Sequence, residues 1–191
     1  MKQFLCVLMI YFLVGCTPQT QPDLPQTSSI PSPEQTALPL PTPSVLKSFS
    51  TPILDKKKAR LDNIALAIKP IDGKILKPQE EFSFNKTVGE RTAERGFQKA
   101  IIFFQGKKVH GEGGGICQIS TSLFNVAELA GLKITERHKH TEKVDYIEEG
   151  KDATVSYGEA DLRFVNTFDF PIQIKVSMTK DKMTATLYKM P

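Results

Sequence analysis

The chain has 191 residues, 40% apolar and 24% charged, a balance near the globular average that excludes wholesale disorder. The stretch able to fold, from about residue 51 to the end, is roughly 140 residues, enough for one domain and too short for a multidomain machine. Net charge is +4, from 25 basic and 21 acidic residues mixed along the chain, too weak and dispersed to attract nucleic acid, and no nucleic-acid partner is expected.

Lys2 precedes an uncharged apolar run over residues 4–14. The run falls well short of the about 20 residues that cross a bilayer core, but suits the apolar segment of a signal peptide. It ends in Leu13, Val14, Gly15 and Cys16, which resembles the lipobox of bacterial lipoproteins. On that reading residues 1–15 are removed and Cys16 carries diacylglycerol. The plainer alternatives are an ordinary signal peptide with an unmodified Cys16, or an uncleaved anchor.

Residues 16 to about 50 read as a tether, with Pro18, Pro22, Pro25, Pro31, Pro33, Pro39, Pro41 and Pro43 set among Gln, Ser and Thr. Such a segment buries too little apolar surface to offset its ordering entropy and is expected to be an extended, disordered spacer. Fully extended, it would reach roughly 100 Å from a membrane. The chain is therefore expected to be a membrane-anchored lipoprotein of the bacterial cell envelope, facing outside the cytoplasm.

Within residues 51–191, Leu61, Ile64, Ala65 and Ile68 recur at helical spacing and predict a helix over roughly 54–69. Turns follow at Asp72 and Gly73 and around Pro78, then a short strand over 82–84. Residues 99–105 and 107–110 flank Gly106 as a hairpin. Ile119, Leu123, Val126, Ala127 and Ala130 mark one buried helix face, which Gly131 ends. From Leu132 the period becomes two, so that Leu132, Ile134, Glu136, His138 and His140 share one side of a strand. Alternating segments near 143–147, 152–157, 161–166, 171–178 and 182–189 complete the pattern. The fold class is α+β, a mainly antiparallel sheet with a few packed helices in a single domain.

The segment HGEGGGICQISTSLF, residues 110–124, carries the chemistry. Gly113, Gly114 and Gly115 remove every Cβ ahead of Cys117 and permit close approach of a substrate or another strand. Cys117 is then placed at or just before a helix N-terminus, where backbone N–H groups and the helix dipole favour a thiolate and an oxyanion. Ser120 or Thr121 is available as a cap or first-turn hydroxyl. Cys6 leaves with the signal peptide and Cys16 takes lipid, so Cys117 is the one free thiol and no disulfide forms within the domain. An exported lone thiol is exposed to oxidation, which invites a functional reading; a buried cysteine acting as a small hydrophobe is the plainer one.

A thiolate nucleophile needs a base. His138 and His140 follow the helix, either of them a candidate, and Asp152, Asp145 or Asp161 would orient the imidazole, Asp152 being preferred. Cys117 with both histidines is also a chemically adequate zinc set, although no paired-ligand spacing supports one. His110 is a further histidine, placed in a loop by the glycines after it. No cofactor and no metal are called for.

Three strings together, NIALAIKPIDGKILKPQEEFSFNKTVGERTAERGF, GGGICQISTSLFNVAELAGL and ERHKHTEKVDYIEEGKDATVSYGEADLRFVN, resemble the VanW family, named from a gene in vancomycin-resistance clusters, over about residues 60–174. One departure is KPQEEFSFN, where the family carries a PGE-like turn. The resemblance implies work at the cell wall, with peptidoglycan or its precursors as partner. It also implies special roles for Gly113, Gly114, Gly115, Cys117, Gln118, Ser120, Thr121, His140 and Asp152. Two functions compete. In one, Cys117 attacks a peptide or amide carbonyl with histidine as base, while Gln118 and backbone N–H groups hold the oxyanion, giving a hydrolase or transpeptidase. In the other, a noncatalytic wall-binding or scaffold domain uses the glycine run as a recognition loop.

Overall fold

The computed structural model describes residues 42–104 and 107–191. The expected export peptide, Cys16 and the tether as far as residue 41 lie outside the described residues. The end of the expected tether does not behave as one, because Ser44–Pro52 forms a nine-residue strand, β1. The folded region therefore starts before residue 51. Pro43 lies outside this strand and Pro52 at its last position, where a missing N–H interrupts the ladder least.

The helix α1 covers Lys58–Ile68, shorter at its start than expected. Two short strands follow, β2 at Ile75–Leu76 and β3 at Glu81–Ser83, and a five-residue helix, α2, at Phe84–Val88. The hairpin is formed by β4 (Lys99–Phe104) and β5 (Lys107–Glu112), with Ile101 opposite His110. Then come α3 (Cys117–Leu129), β6 (Lys133–Glu136), β7 (Arg163–Val165), β8 (Ile172–Met178) and β9 (Lys182–Lys189).

The strands form an antiparallel sheet in the order β1-β9-β8-β2, a second in the order β3-β7-β6, and the hairpin β4-β5. The α+β class is the one expected, although its strands divide among three sheets. Helix α3 packs on β1 and β9. Its Ile119, Leu123, Val126 and Ala127 join Met183, Ala185, Leu187, Ile172 and Ile174 in one apolar core. At about 25 cal/mol per Å² of apolar area, this contact supplies most of the drive that orders the helix.

Two predicted strands are absent. Residues 143–147 form turns, and 152–157 contributes only isolated bridges, His138 to Thr154 and Ser156 to Ala160. The second segment fails to become a ladder because its backbone is bound by helix side chains instead: the Ser120 hydroxyl donates to Ala153 O at 2.7 Å, Ala153 N–H donates to Thr121 Oγ1 at 3.0 Å, and Asn125 Nδ2 donates to Lys151 O at 2.7 Å. Helix α3 is accordingly buried on nearly every side from Gln118 to Ala127 rather than on one stripe.

Candidate active site

The glycine run is a packing device. Gly113 and Gly114 are buried. A Cβ on Gly114 would stand 2.6 Å from Ile101 O, and one on Gly115, whose φ is +102°, 2.7 Å from Arg60 Cγ. The run lets the chain press against β4 and α1 while it turns into α3, and so presents no open glycine loop to a ligand. The first turn is closed by its own carbonyls, with Ile116 N–H on Gly113 O, Gln118 N–H on Gly115 O and Ile119 N–H on Ile116 O. Ile116 is the N-cap and offers no side-chain cap, so the expected cap from Ser120 or Thr121 is not used. Cys117 is the first residue of the helix.

Cys117 is half-buried. Its sulfur lies 3.5 Å from Thr154 Oγ1 and 3.6 Å from Val155 O, and it interacts with the His140 side chain. His140 Nδ1 lies 2.7 Å from Asp152 Oδ2, and the same carboxylate oxygen accepts the His140 backbone N–H at 2.6 Å. With Nδ1 committed to Asp152, Nε2 is the nitrogen left for the thiol. Cys117, His140 and Asp152 thus lie in series, the order of thiol, imidazole and carboxylate that a thiol nucleophile with a base and an orienter would need. These are the three residues the sequence prefers, and the structure brings them together.

His138 is a different kind of residue. Its ring nitrogen lies 3.0 Å from Glu136 Oε1 and its side chain is 45% exposed, against 7% for His140. The expectation that both histidines share one strand face fails because β6 stops at Glu136, after which the chain makes only the bridge at His138. With His138 turned to Glu136, the zinc set of Cys117 and two histidines is not assembled. Among the described residues no group of three or more His, Cys, Asp and Glu is placed to hold a metal ion.

Asp145 is exposed. Asp161 is buried, but it accepts from Ser83 Oγ at 2.6 Å, Asn85 N–H at 2.8 Å and Arg163 Nε at 3.0 Å, and so organises the start of α2. His110 stands exposed on the hairpin.

Gln118 is not available to an oxyanion. Its Nε2 donates to Thr51 Oγ1 at 2.9 Å and Pro52 O at 2.8 Å, and its Oε1 accepts from an Arg60 terminal nitrogen at 2.6 Å. It ties β1 and α1 to the start of α3. Ser120 and Thr121 are likewise structural, because they hold the Asp152–Ala153 backbone against the helix. Sequence reasoning passed over Arg137, which donates to Gly150 O and Asp152 O and stacks 4.5 Å above the Phe124 ring. It also passed over Thr154 and Val155, whose only signal was their closeness to Asp152 in the chain.

The three groups set one another's charge. Burial pushes the Cys117 thiol up, but the hydrogen bond and charge of His140, with help from Val155 and Thr154, leave it below its ordinary value. Burial pulls His140 down, and its bonds and charge interactions with Cys117 and Asp152 outweigh this and raise it. Burial pushes Asp152 up, and the amide and ring of His140 bring it below the usual carboxylate range. Each direction favours the charged form of its group: thiolate, imidazolium and carboxylate.

The family described as "VanW like protein" matches over residues 59–188. The "Uncharacterized protein YoaR" of Bacillus subtilis (strain 168) is 43% identical over 143 residues, 75% of this chain and 47% of that protein. The "Vancomycin B-type resistance protein VanW" of Enterococcus faecalis (strain ATCC 700802 / V583) is 33% identical over 132 residues, 66% of this chain and 48% of that protein. The chain spans about half the length of these curated relatives. No solved structure matches.

Proposed function

The chain belongs to the VanW family, and from that premise and the geometry of its site we propose that it is a cysteine-dependent enzyme that cleaves or transfers a peptide or amide bond. The observation that carries the reading is the continuous series Cys117, His140 and Asp152, with the thiol lowered and the imidazole raised.

In the proposed reaction the Cys117 thiolate attacks an amide carbonyl carbon. A C–S bond forms, and the oxyanion is met by the dipole of α3 and by the Cys117 N–H at its start. Imidazolium His140 gives its proton to the leaving amine as the C–N bond breaks, leaving a thioester. Neutral His140 then takes a proton from water or an acceptor amine as its oxygen or nitrogen attacks the thioester; the C–S bond breaks, Cys117 leaves as thiolate, and a carboxylate or a new amide is released. Asp152 holds the ring and its charge throughout.

The substrate we propose is peptidoglycan or a precursor of it, reached from a lipid anchor at Cys16 on an envelope membrane, facing outside the cytoplasm. One relative is named for vancomycin resistance, which supports a site of action at the wall. The noncatalytic alternative rested on an open glycine loop, whereas Gly113 and Gly114 are buried. Muropeptides incubated with the protein and with Cys117→Ala, followed by mass spectrometry, test the proposal. New products that require the thiol are expected, and identical product profiles from both proteins would remove the enzyme reading.

A further inference from the structure

The arginines of the described residues are bonded with one exception. Arg60 donates to Asp55 O and Gln118 Oε1, Arg95 to Val88 O, Arg137 to Gly150 O and Asp152 O, and Arg163 pairs with Asp161 and Glu136. In Arg91 both terminal nitrogens are buried and have no hydrogen-bond partner. Its guanidinium carbon lies 5.4 Å from the centroid of the Phe84 ring, which supplies a cation–π contact but accepts no hydrogen bond in the plane of the fork. A guanidinium removed from water and left unpaired is costly, and such a group is retained where a partner is supplied.

Its position is set by the same segment that sets Cys117. A Cβ on Gly113 would stand 2.9 Å from Arg91 Cβ and Cγ, so the Arg91 stem lies directly against the turn that leads into α3. The acidic groups whose charge acts on its head include Cys117 and Asp161, with Arg95 the opposing like charge. Asp161 is saturated by Ser83, Asn85 and Arg163. The third buried side-chain atom without a partner among the described residues is Asn85 Oδ1, on the residue whose N–H donates to that same Asp161. Two donors on Arg91 and one acceptor on Asn85 are the complement of a carboxylate and a neighbouring amide N–H. That pair of groups occurs together at the end of a peptide.

We propose that Arg91, assisted by Asn85, clamps the terminal carboxylate of the substrate, so that the protein acts on a peptide with a free C-terminus close to the bond Cys117 attacks. The inference rests on the cysteine-enzyme reading for its place beside the thiol. It adds the substrate class: C-terminal acids are taken and internal or amidated peptides are refused. The planar fork of Arg91 suits a carboxylate bidentately, which an ammonium would not.

Binding is to be read without turnover. The full-length protein carrying Cys117→Ala is titrated calorimetrically with N-acetyl-alanyl-alanine in its four stereoisomeric forms, each as the free acid and as the terminal amide. At least one isomer is expected to bind about tenfold or more tighter as the acid, the scale of a charge-assisted bidentate contact. Adding Arg91→Gln should erase that difference, and Arg91→Lys should keep part of it. Equal binding of acid and amide in all four isomers, no binding of any, or a preference untouched by Arg91→Gln overturns the clamp. Should Arg91→Gln fail to fold, the acid–amide comparison with Arg91 and with Arg91→Lys decides. A clamp seen here without thiol-dependent turnover in the muropeptide experiment would leave the clamp standing and remove the enzyme; turnover indifferent to the terminal carboxylate would do the reverse.

Discussion

At Cys117 two effects oppose each other, and their order of size yields a measurable sign. Desolvation pushes the thiol up and is the larger single effect, yet His140, Val155 and Thr154 together bring it below its ordinary value. Removing His140 leaves desolvation dominant. Alkylation by iodoacetamide as a function of pH should therefore show an apparent pKa below the about 8.5 of a free thiol in the protein, and above it in His140→Ala. An unchanged profile in His140→Ala would break the proposed pair. Activity should rise on the acid side as the thiol ionises and fall on the basic side as imidazolium His140, whose pKa is raised, loses its proton. Asp152 gives the matching stability argument. Its folded pKa is depressed, so its charge stabilises the fold above the ordinary carboxylate range and that contribution is lost as pH falls through the folded value. Asp152→Asn should cost roughly 1–3 kcal/mol at pH 7 in urea unfolding, a gap that narrows as pH falls below the ordinary carboxylate range. Turnover should fall by at least about 100-fold, because the ring loses its orienting charge.

At the scale of elements, the start of α3 is fastened to two partners through polar groups that a hydropathy pattern cannot sort. The apolar spacing of Ile119, Leu123, Val126 and Ala127 was legible as a core face, and the alternation of 171–178 and 182–189 as strands, because burial on one side leaves a period in the sequence. Cys117, His140 and Asp152 stand out in the sequence because thiolate chemistry needs those residue types, and the structure brings them together. Buried Gln118, Ser120 and Thr121 carry no such period. Read from the sequence, Gln118 is an oxyanion donor and Ser120 or Thr121 a cap or first-turn hydroxyl, and only the placement of Thr51, Arg60 and Ala153 shows them to be fasteners. The separation of His138 from His140 was hidden for a related reason: where β6 ends depends on how residues 151–154 are bound, which is a tertiary matter. The glycines illustrate the same divide, and they can be tested. Gly114→Ala would drive a Cβ to 2.6 Å from the Ile101 carbonyl, where backbone must move, and should cost about 2–3 kcal/mol in urea unfolding. Gly131→Ala meets nothing within 4 Å and bears only the strain of a φ of +75°, about 1–2 kcal/mol. Equal costs would argue that the run is not a packing device.

At the scale of the molecule, the strand that escaped sequence reading is the one on which the site leans. β1 pairs with β9 along its whole length, from Ser44 opposite Lys189 to Pro52 opposite Lys182, and Ser50 and Ser48 bond the Thr184 and Thr186 hydroxyls. Its proline-rich approach made it read as tether, since residues 44–50 alone show little alternation of burial. Yet α3 packs on β1, and Gln118, next to Cys117, anchors its amide on Thr51 and Pro52. Deleting residues up to 50 would bare β9 as an edge with unpaired N–H and C=O groups. It would also uncover one side of α3. A chain beginning at residue 51 should melt at least about 10 °C below one beginning at residue 42. Because the helix start loses its support, the Cys117 alkylation profile of the shorter chain should also drift toward that of a free thiol. If both chains melt together and keep the same profile, β1 is an accessory edge, and the site is held by α1 and the 151–156 segment alone.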